Sequence, residues 1–182
     1  MKQNLKAFFS PKTLYFVCGK VYKDTSYANR IVHWFVQHKL PVIPITPSNG
    51  IVDLQLDSIT KKETKLTHLD IFSSINDALT EVNEQNLIRN FDSISVCFVT
   101  RPIITLGILK ELPSITSSFK LPINSCWFQP GSWNMDCIKY SEKVLQLGEE
   151  KTINDCVLVN GSANYCKSEY GELGLKKLKT QN

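Results

Sequence analysis

Five apolar-rich segments of strand length recur along the chain. They lie at residues 14–18, 42–45, 94–99, 125–128 and 156–159. Short, nearly continuous apolar runs are typical of strands that are covered on both faces. We therefore predict a mainly parallel, five-stranded sheet.

Segments with helical spacing of apolar residues separate these strands. In the first, Ile31, Trp34 and His38 share one helical face, and Ser26 or Thr25 is placed to cap the helix. The predicted helices cover residues 27–38, 75–87, 103–112 and 134–147. Because strands and helices alternate, the pattern predicts an α/β fold with right-handed crossovers.

Two segments lack a clear period. Residues 48–69 are polar and are predicted to form an excursion on the surface, followed by a short strand at 70–72. The Ser-rich residues 113–122 are predicted to be a connection. At 182 residues the chain is predicted to form a single domain, with a core at about 13–160 and a loosely packed tail at 161–182.

Polar or turn-forming residues follow four of the predicted strands. In parallel sheets of this kind, ligands bind outside the carboxyl ends of the strands, where the strand order reverses. We therefore predict a ligand site at this edge of the sheet. Its candidate residues are Gly19, Lys20 and Val21; Asn29 and Arg30 at the start of the first helix; Thr46, Pro47 and Ser48; Thr100, Arg101 and Pro102; and Gln129, Pro130 and Gly131.

The loop after the first strand favours a phosphate-bearing ligand. A strand, a glycine and a helix start present backbone N–H groups to one point, and Gly19 allows a close approach of ligand and backbone. Lys20, Lys23 and Arg30 add positive charge. The same residues are also consistent with a tight turn whose cations are solvated.

The remaining strand ends argue against a dinucleotide site. The three-glycine fingerprint is absent, and no acidic residue follows the second strand to hold the ribose hydroxyls, since Asp53 comes several residues too late. Arg101 is suited to a bidentate contact with a phosphate. A surface salt bridge for Arg101, and ordinary proline turns at 46–48 and 129–131, are the alternatives.

Composition limits the partners and the cell compartment. The chain is 42% hydrophobic and 21% charged with a net charge of +4, which fits a soluble globular protein without a nucleic-acid or membrane partner. The densest basic cluster, at 176–179, is predicted to be a solvated tail. The six cysteines show no metal-ligand spacing. We expect free thiols in a reducing cytosol, with Cys18, Cys97, Cys126 and Cys156 buried.

No catalytic constellation is evident. His33, His38 and His68 do not cluster, and the sequence has no GxSxG, HExxH or Walker A motif. The first two histidines are predicted to be surface or packing residues. The pattern therefore indicates a binding protein without chemistry of its own.

The chain resembles the CoA-binding domain family, small Rossmann-like proteins similar to the N-terminal domain of succinyl-CoA synthetase α subunits. The similar segments are residues 19–30, 44–47, 96–102, 126–131 and 155–159, and the most specific of them is Trp-Phe-Gln-Pro-Gly at 127–131. The first loop departs from the usual Gly-Ala-Ser, and Ala28 replaces the usual glycine before the helix.

The resemblance implies a Rossmann-like three-layer sandwich and a CoA site. The phosphates would lie at residues 19–21 and at Asn29 and Arg30, and the adenosine would lie near 46–48. The rest of the ligand would pass 100–102 and 129–131. Binding of CoA or acyl-CoA without catalysis is the leading hypothesis. The alternatives are an NAD(P)-binding oxidoreductase-like protein and an interaction scaffold that has lost its ligand.

Overall fold

The structure is a computed structural model and describes residues 4–48, 50–169 and 171. Its elements in chain order are β1 (Thr13–Cys18), α1 (Tyr27–Gln37), β2 (Val42–Ile45), β3 (Gly50–Asp53), α2 (Ser58–Glu63), β4 (His68–Ile71), α3 (Ile75–Glu84), β5 (Ser93–Phe98), α4 (Pro102–Phe119), β6 (Ile123–Phe128), α5 (Met135–Lys139), β7 (Thr152–Asn154) and α6 (Val157–Asn160). Short 3₁₀ helices lie at Leu5–Phe8 and Ile88–Asn90, and a π-helical turn at Tyr140–Val144 continues α5.

The main sheet is parallel, as predicted, and its strand order is β2-β1-β5-β6-β7. Cys18, the last residue of β1, aligns with Ile45 on one side and with Phe98 on the other. The chain leaves β1 toward one edge of the sheet and later returns to build toward the other, so the order reverses between β1 and β5. The loops after these two strands therefore flank the crevice in which such sheets bind ligands.

Both faces of the sheet are covered, which explains the continuous apolar runs. One core cluster includes Tyr15, Phe35 and Trp127 and lies under α1 and α6. The other includes Phe16 and Leu109 and lies under α3, α4 and α5. Every residue of β1 is buried. The predicted Rossmann-like three-layer sandwich is confirmed.

The fifth strand was placed wrongly. The edge strand is β7, at Thr152–Asn154, whereas most of the apolar run at 156–159 belongs to α6. An edge strand pairs on one side only, and β7 contains two polar residues among its three. Its sequence therefore carries little apolar signal. Cys156, expected to be buried in a strand, is a half-buried residue that precedes α6.

The segment at 48–69 is more ordered than predicted. It contains the antiparallel pair β3–β4 and the helix α2. Val52, Leu54 and Leu66 are buried in the core beside α1. The predicted strand at 70–72 is confirmed in β4, and Phe72 forms a parallel bridge with Ile45, which joins this addition to the main sheet.

The helix α4 continues beyond its predicted end. It runs through Pro113 to Phe119 and ends where Lys120 adopts φ 55°. Because Pro113 is exposed, its ring avoids the core and the helix loses only one backbone hydrogen bond there. The sequence therefore predicted a connection where the structure has two further helical turns.

The chain after α6 lies along α1. Trp34 Nε1 donates to Ser162 Oγ at 3.1 Å, and the Tyr165 ring packs edge-on against His38 with centroids 4.7 Å apart. These contacts involve residues of the segment that was predicted to pack loosely. The basic cluster at 176–179 lies outside the described residues.

Candidate ligand site at the carboxyl edge of the sheet

Gly19 is enclosed by the start of α1 and the end of β5. A Cβ at Gly19 would lie 3.0 Å from the Ala28 Cβ, 3.1 Å from the Val99 Cβ and 3.2 Å from the Val99 carbonyl oxygen. Such distances are tighter than nearly all Cβ contacts in proteins, so a side chain here would require its neighbours to shift. Close packing of helix against strand therefore explains this glycine, whereas the sequence had suggested the approach of a ligand.

Two side chains hold the loop between β1 and α1. Ser26 Oγ donates to the Lys20 carbonyl at 2.7 Å and accepts from the Asn29 amide at 3.0 Å, so it caps α1. Asn29 Nδ2 donates to the Val21 carbonyl at 2.9 Å in a buried contact. Val21 and Asn29 are thus buried residues that shape the loop, while Lys20 is exposed.

The start of α1 is electropositive. The N–H groups of Tyr27 and Ala28 find no acceptor in the part of the chain that the structure describes. Lys20 and Lys23 are exposed on the adjoining loop, and neither forms an ion pair with any described residue. Free N–H groups, the helix dipole and two unpaired ammonium groups together favour an anion at this point.

The end of β5 brings Arg101 to the same edge. The Val99 amide donates to the Cys18 carbonyl at 2.8 Å, which fixes the two strand ends side by side. Thr100 Oγ1 pairs with Thr105 Oγ1 at 2.7 Å, so its hydroxyl is engaged within the protein. Arg101 precedes α4 and is exposed, and it has no ion-pair partner among the described residues. Pro102 takes the first helical position, as predicted.

The end of β2 is partly covered. Thr46 is buried, and its amide donates to the Phe72 carbonyl at 3.0 Å. Pro47 and Ser48 are exposed beyond it. The β4 extension therefore leaves these two residues as the accessible part of this strand end.

Gln129 supports the turn after β6 from inside. The Ser132 amide donates to the Gln129 carbonyl at 3.0 Å, and Gly131 has φ +83°, as in a type II turn with Pro130 at its second position. The Gln129 side chain is only 4% exposed. Its Nε2 donates to Cys97 Sγ at 3.4 Å, and its Oε1 accepts from the Val157 amide at 3.1 Å. The side chain was expected to face a ligand, but it faces the protein.

The family model described as a CoA binding domain matches residues 13–162. This chain belongs to the CoA-binding domain family. Comparison with curated proteins and with solved structures finds no significant match. In this CoA-binding domain, no helix of the described residues is long and apolar enough to cross a membrane.

Replacing Gln129 with Leu in this CoA-binding domain is expected to lower the free energy of unfolding by about 1–3 kcal/mol. The reason is that the Val157 amide would lose its buried acceptor while the volume of the side chain stays similar. Urea denaturation of both proteins measures the change. A loss below about 0.5 kcal/mol, the range of ordinary surface substitutions, would contradict the supporting role.

A cleft of about 450 Å³ is lined by residues of α1, of the segment before α2 and of α6. Arg30 and Asn29 line it together with Asp24 and Asp57. Arg30 also lies over the Tyr27 ring, 5.7 Å from its centroid. Two carboxylates face one guanidinium there, so the cleft is unfavourable for a phosphate. The structure therefore places Arg30 beside two carboxylates, whereas the sequence had grouped it only with the cations of this edge.

His33 fastens α1 to α2 at the floor of this cleft. It is buried, as a packing residue would be, and its Nδ1 pairs with Thr60 Oγ1 at 2.8 Å. Gln37 Nε2 donates to the same hydroxyl oxygen at 3.0 Å, which leaves the hydroxyl proton for a neutral imidazole. Burial lowers the pKa of His33 below its ordinary 6.5, against the opposing effect of the Asp57 carboxylate.

The protein is expected to lose stability as the pH falls below 6.5. Because the pKa of His33 is lower in the folded state, the unfolded chain binds the proton first, and protonation favours unfolding. Urea denaturation at several pH values between 7.5 and 5 measures the slope. His33→Gln should flatten it, and an unchanged slope in that variant would contradict the assignment.

The cysteines and acidic residues form no metal centre in the described residues. All six cysteines are free, and burial raises the pKa of Cys126 to about 12. Cys18, which directly precedes the Gly19 loop, is also buried with a raised pKa. Burial therefore disfavours the thiolate form of Cys18.

Proposed function

We propose that the protein binds coenzyme A or an acyl-CoA and catalyses no reaction of its own. The observation that carries this proposal is the set of exposed cations Lys20, Lys23 and Arg101, which have no ion-pair partner among the described residues and follow β1 and β5 at the strand switch point of a CoA-binding domain. Parallel sheets of this order bind their ligands at that point.

The diphosphate is assigned to the start of α1. The Tyr27 and Ala28 amides and the two loop lysines would receive it from one side, and Arg101 from the other. Gly19, Val21 and Asn29 contribute by keeping the loop in place. We assign Arg30 a smaller share, because Asp24 and Asp57 compete for its charge.

The two ends of the ligand are assigned to the neighbouring strands. Pro47 and Ser48 are accessible beyond β2 and leave room for the adenosine. Asp53, the first acidic residue after β2, accepts from the Gln55 amide at 2.8 Å within its own turn, so it does not serve as a ribose ligand of the NAD type. The pantetheine arm would run past Thr100 toward the turn at Gly131.

The state of the cysteines supports a location in the cytosol. Four of the six cysteines are buried and none is in a disulfide. Such thiols suit a reducing environment, so we place the protein in the cytosol.

The arginine at the strand end provides the sharpest test. Arg101→Ala is expected to weaken CoA binding by roughly tenfold or more, which corresponds to about 1–3 kcal/mol for a lost charge-assisted hydrogen bond. Arg89→Ala is the matched control, because Arg89 is exposed next to the amino end of β5, at the opposite edge of the sheet. Isothermal titration calorimetry measures both.

Neither substitution should change the melting temperature, since both arginines are exposed. Equal CoA affinities in the two variants would place the phosphates elsewhere than at this edge.

A further inference from the structure

The first turns of α4 and α5 present apolar side chains to solvent. Ile103 is 80% exposed, and Ile104 beside it is 46% exposed. Met135 opens α5 and is 58% exposed. A single exposed apolar residue is ordinary in a folded protein, but these three stand on two helix starts at the same edge of the sheet.

The two helix starts lie side by side. Cys137, in the first turn of α5, is fully buried, and its Sγ donates to the Pro102 carbonyl at 3.4 Å. Pro102 directly precedes Ile103, and Cys137 lies two residues after Met135. The three exposed residues, which we call the apolar rim (Ile103, Ile104 and Met135), therefore border the strand ends at Thr100 and Gly131.

The apolar rim contrasts with the start of α1. In the first turn of α4, Pro102 lacks an N–H group and the Ile104 amide donates to the Arg101 carbonyl at 2.9 Å, so beyond Arg101 this turn offers few free N–H groups to an anion. The loop before α1 instead carries two lysines that form no ion pair within the described part of the chain. The carboxyl edge thus carries cations in the loop before α1 and at Arg101, and the apolar rim lies beyond them on the first turns of α4 and α5. A ligand that fits both the cations and the rim has phosphates at one terminus and hydrocarbon at the other.

The spacing of the strands suits such a ligand. β1 and β6 are separated by β5 alone, so their ends are about 10 Å apart. The pantetheine arm of CoA is longer than this distance. If the phosphates lie at the start of α1 and the pantetheine arm passes Thr100, the sulfur atom of the arm lies near the apolar rim.

We infer that the ligand is an acyl-CoA whose acyl chain lies on the apolar rim. This inference rests on the proposed function and adds the class of acyl group to it. A hydrocarbon chain of medium length buries apolar surface against the rim, which strengthens binding, whereas free CoA leaves the rim exposed to water.

Titration with CoA, butyryl-CoA and octanoyl-CoA tests the inference. Octanoyl-CoA is expected to bind at least about tenfold more tightly than CoA, because each buried methylene contributes about a fourfold gain in affinity and the rim covers only part of the chain. Butyryl-CoA should lie between them.

Substitutions in the apolar rim test whether these residues cause the tighter binding of octanoyl-CoA. Ile103→Ser and Met135→Ser should each reduce the ratio of octanoyl-CoA to CoA affinity severalfold and leave CoA affinity unchanged. Ile59→Ser is the matched control, because Ile59 is 60% exposed on α2 and does not belong to the apolar rim. It should keep the wild-type ratio.

The outcomes separate this inference from the proposed function. If CoA binds but octanoyl-CoA binds no tighter, the acyl assignment is overturned while CoA binding stands. The assignment is also overturned if both rim variants keep the wild-type ratio. Binding of none of the three compounds would overturn the proposed function itself, and the acyl assignment with it.

Discussion

Gly19→Val is expected to lower the free energy of unfolding by about 3 kcal/mol or more. Even a Cβ at this position would lie within 3.0–3.2 Å of atoms of Ala28 and Val99. The two further methyl groups of valine require α1 and β5 to separate, and overpacked cores relax poorly. Urea or thermal denaturation measures the loss.

Gly107→Ala is the matched control. Gly107 is exposed within α4, and a Cβ there would meet no atom within 4 Å. Alanine favours the helix over glycine, so this variant should be more stable by about 0.5–1 kcal/mol. If Gly19→Val were as stable as the wild type, the close packing of α1 against β5 would be contradicted.

Trp127→Ala is expected to cost about 3–5 kcal/mol of stability, the range for removal of a large buried side chain. Trp127 is fully buried on β6, and its ring lies edge-on to Phe8 with centroids 5.1 Å apart. Its Nε1 donates to the Asp155 carbonyl at 2.7 Å, which ties β6 to the segment between β7 and α6.

Trp127→Phe separates these two contributions. Phenylalanine keeps most of the apolar contact but leaves the Asp155 carbonyl without its donor, so the loss should be smaller than in Trp127→Ala. The melting temperatures should therefore fall in the order wild type, Trp127→Phe, Trp127→Ala. Equal stability of the alanine variant and the wild type would mean that Trp127 does not hold this part of the core.

Four of the five strands of the main sheet were predictable from the sequence because their residues are largely buried on both faces of the sheet. β1, β2, β5 and β6 each carry a nearly unbroken apolar run, and all four lie close to where the pattern placed them. The strand β7 escaped prediction because it has only three residues, of which two are polar. The apolar run at 156–159 was wrongly predicted to be this strand, because so short an apolar segment is equally compatible with a strand and with a helical turn.

The positions of the site residues were predictable from topology, but the directions of their side chains were not. Because β1 and β5 are parallel, Gly19 and Arg101 lie at the same edge of the sheet regardless of the direction of their side chains. The inward turn of Gln129 depends on Cys97 and on the Val157 amide, which are distant in sequence. The carboxylate of Asp57 reaches the cleft at Arg30 only because α2 packs beside α1. Such contacts between distant segments leave no periodic signal in the sequence.

The most direct measurement is a calorimetric titration of the wild-type protein with CoA and, separately, with NAD. The proposed function predicts saturable binding of one CoA per chain, with a higher affinity than for NAD, because cations follow β1 and β5 and the first carboxylate after β2, that of Asp53, is engaged within its own turn. NAD binding equal to or tighter than CoA binding, or no binding of CoA at all, would contradict the assignment of this edge to coenzyme A.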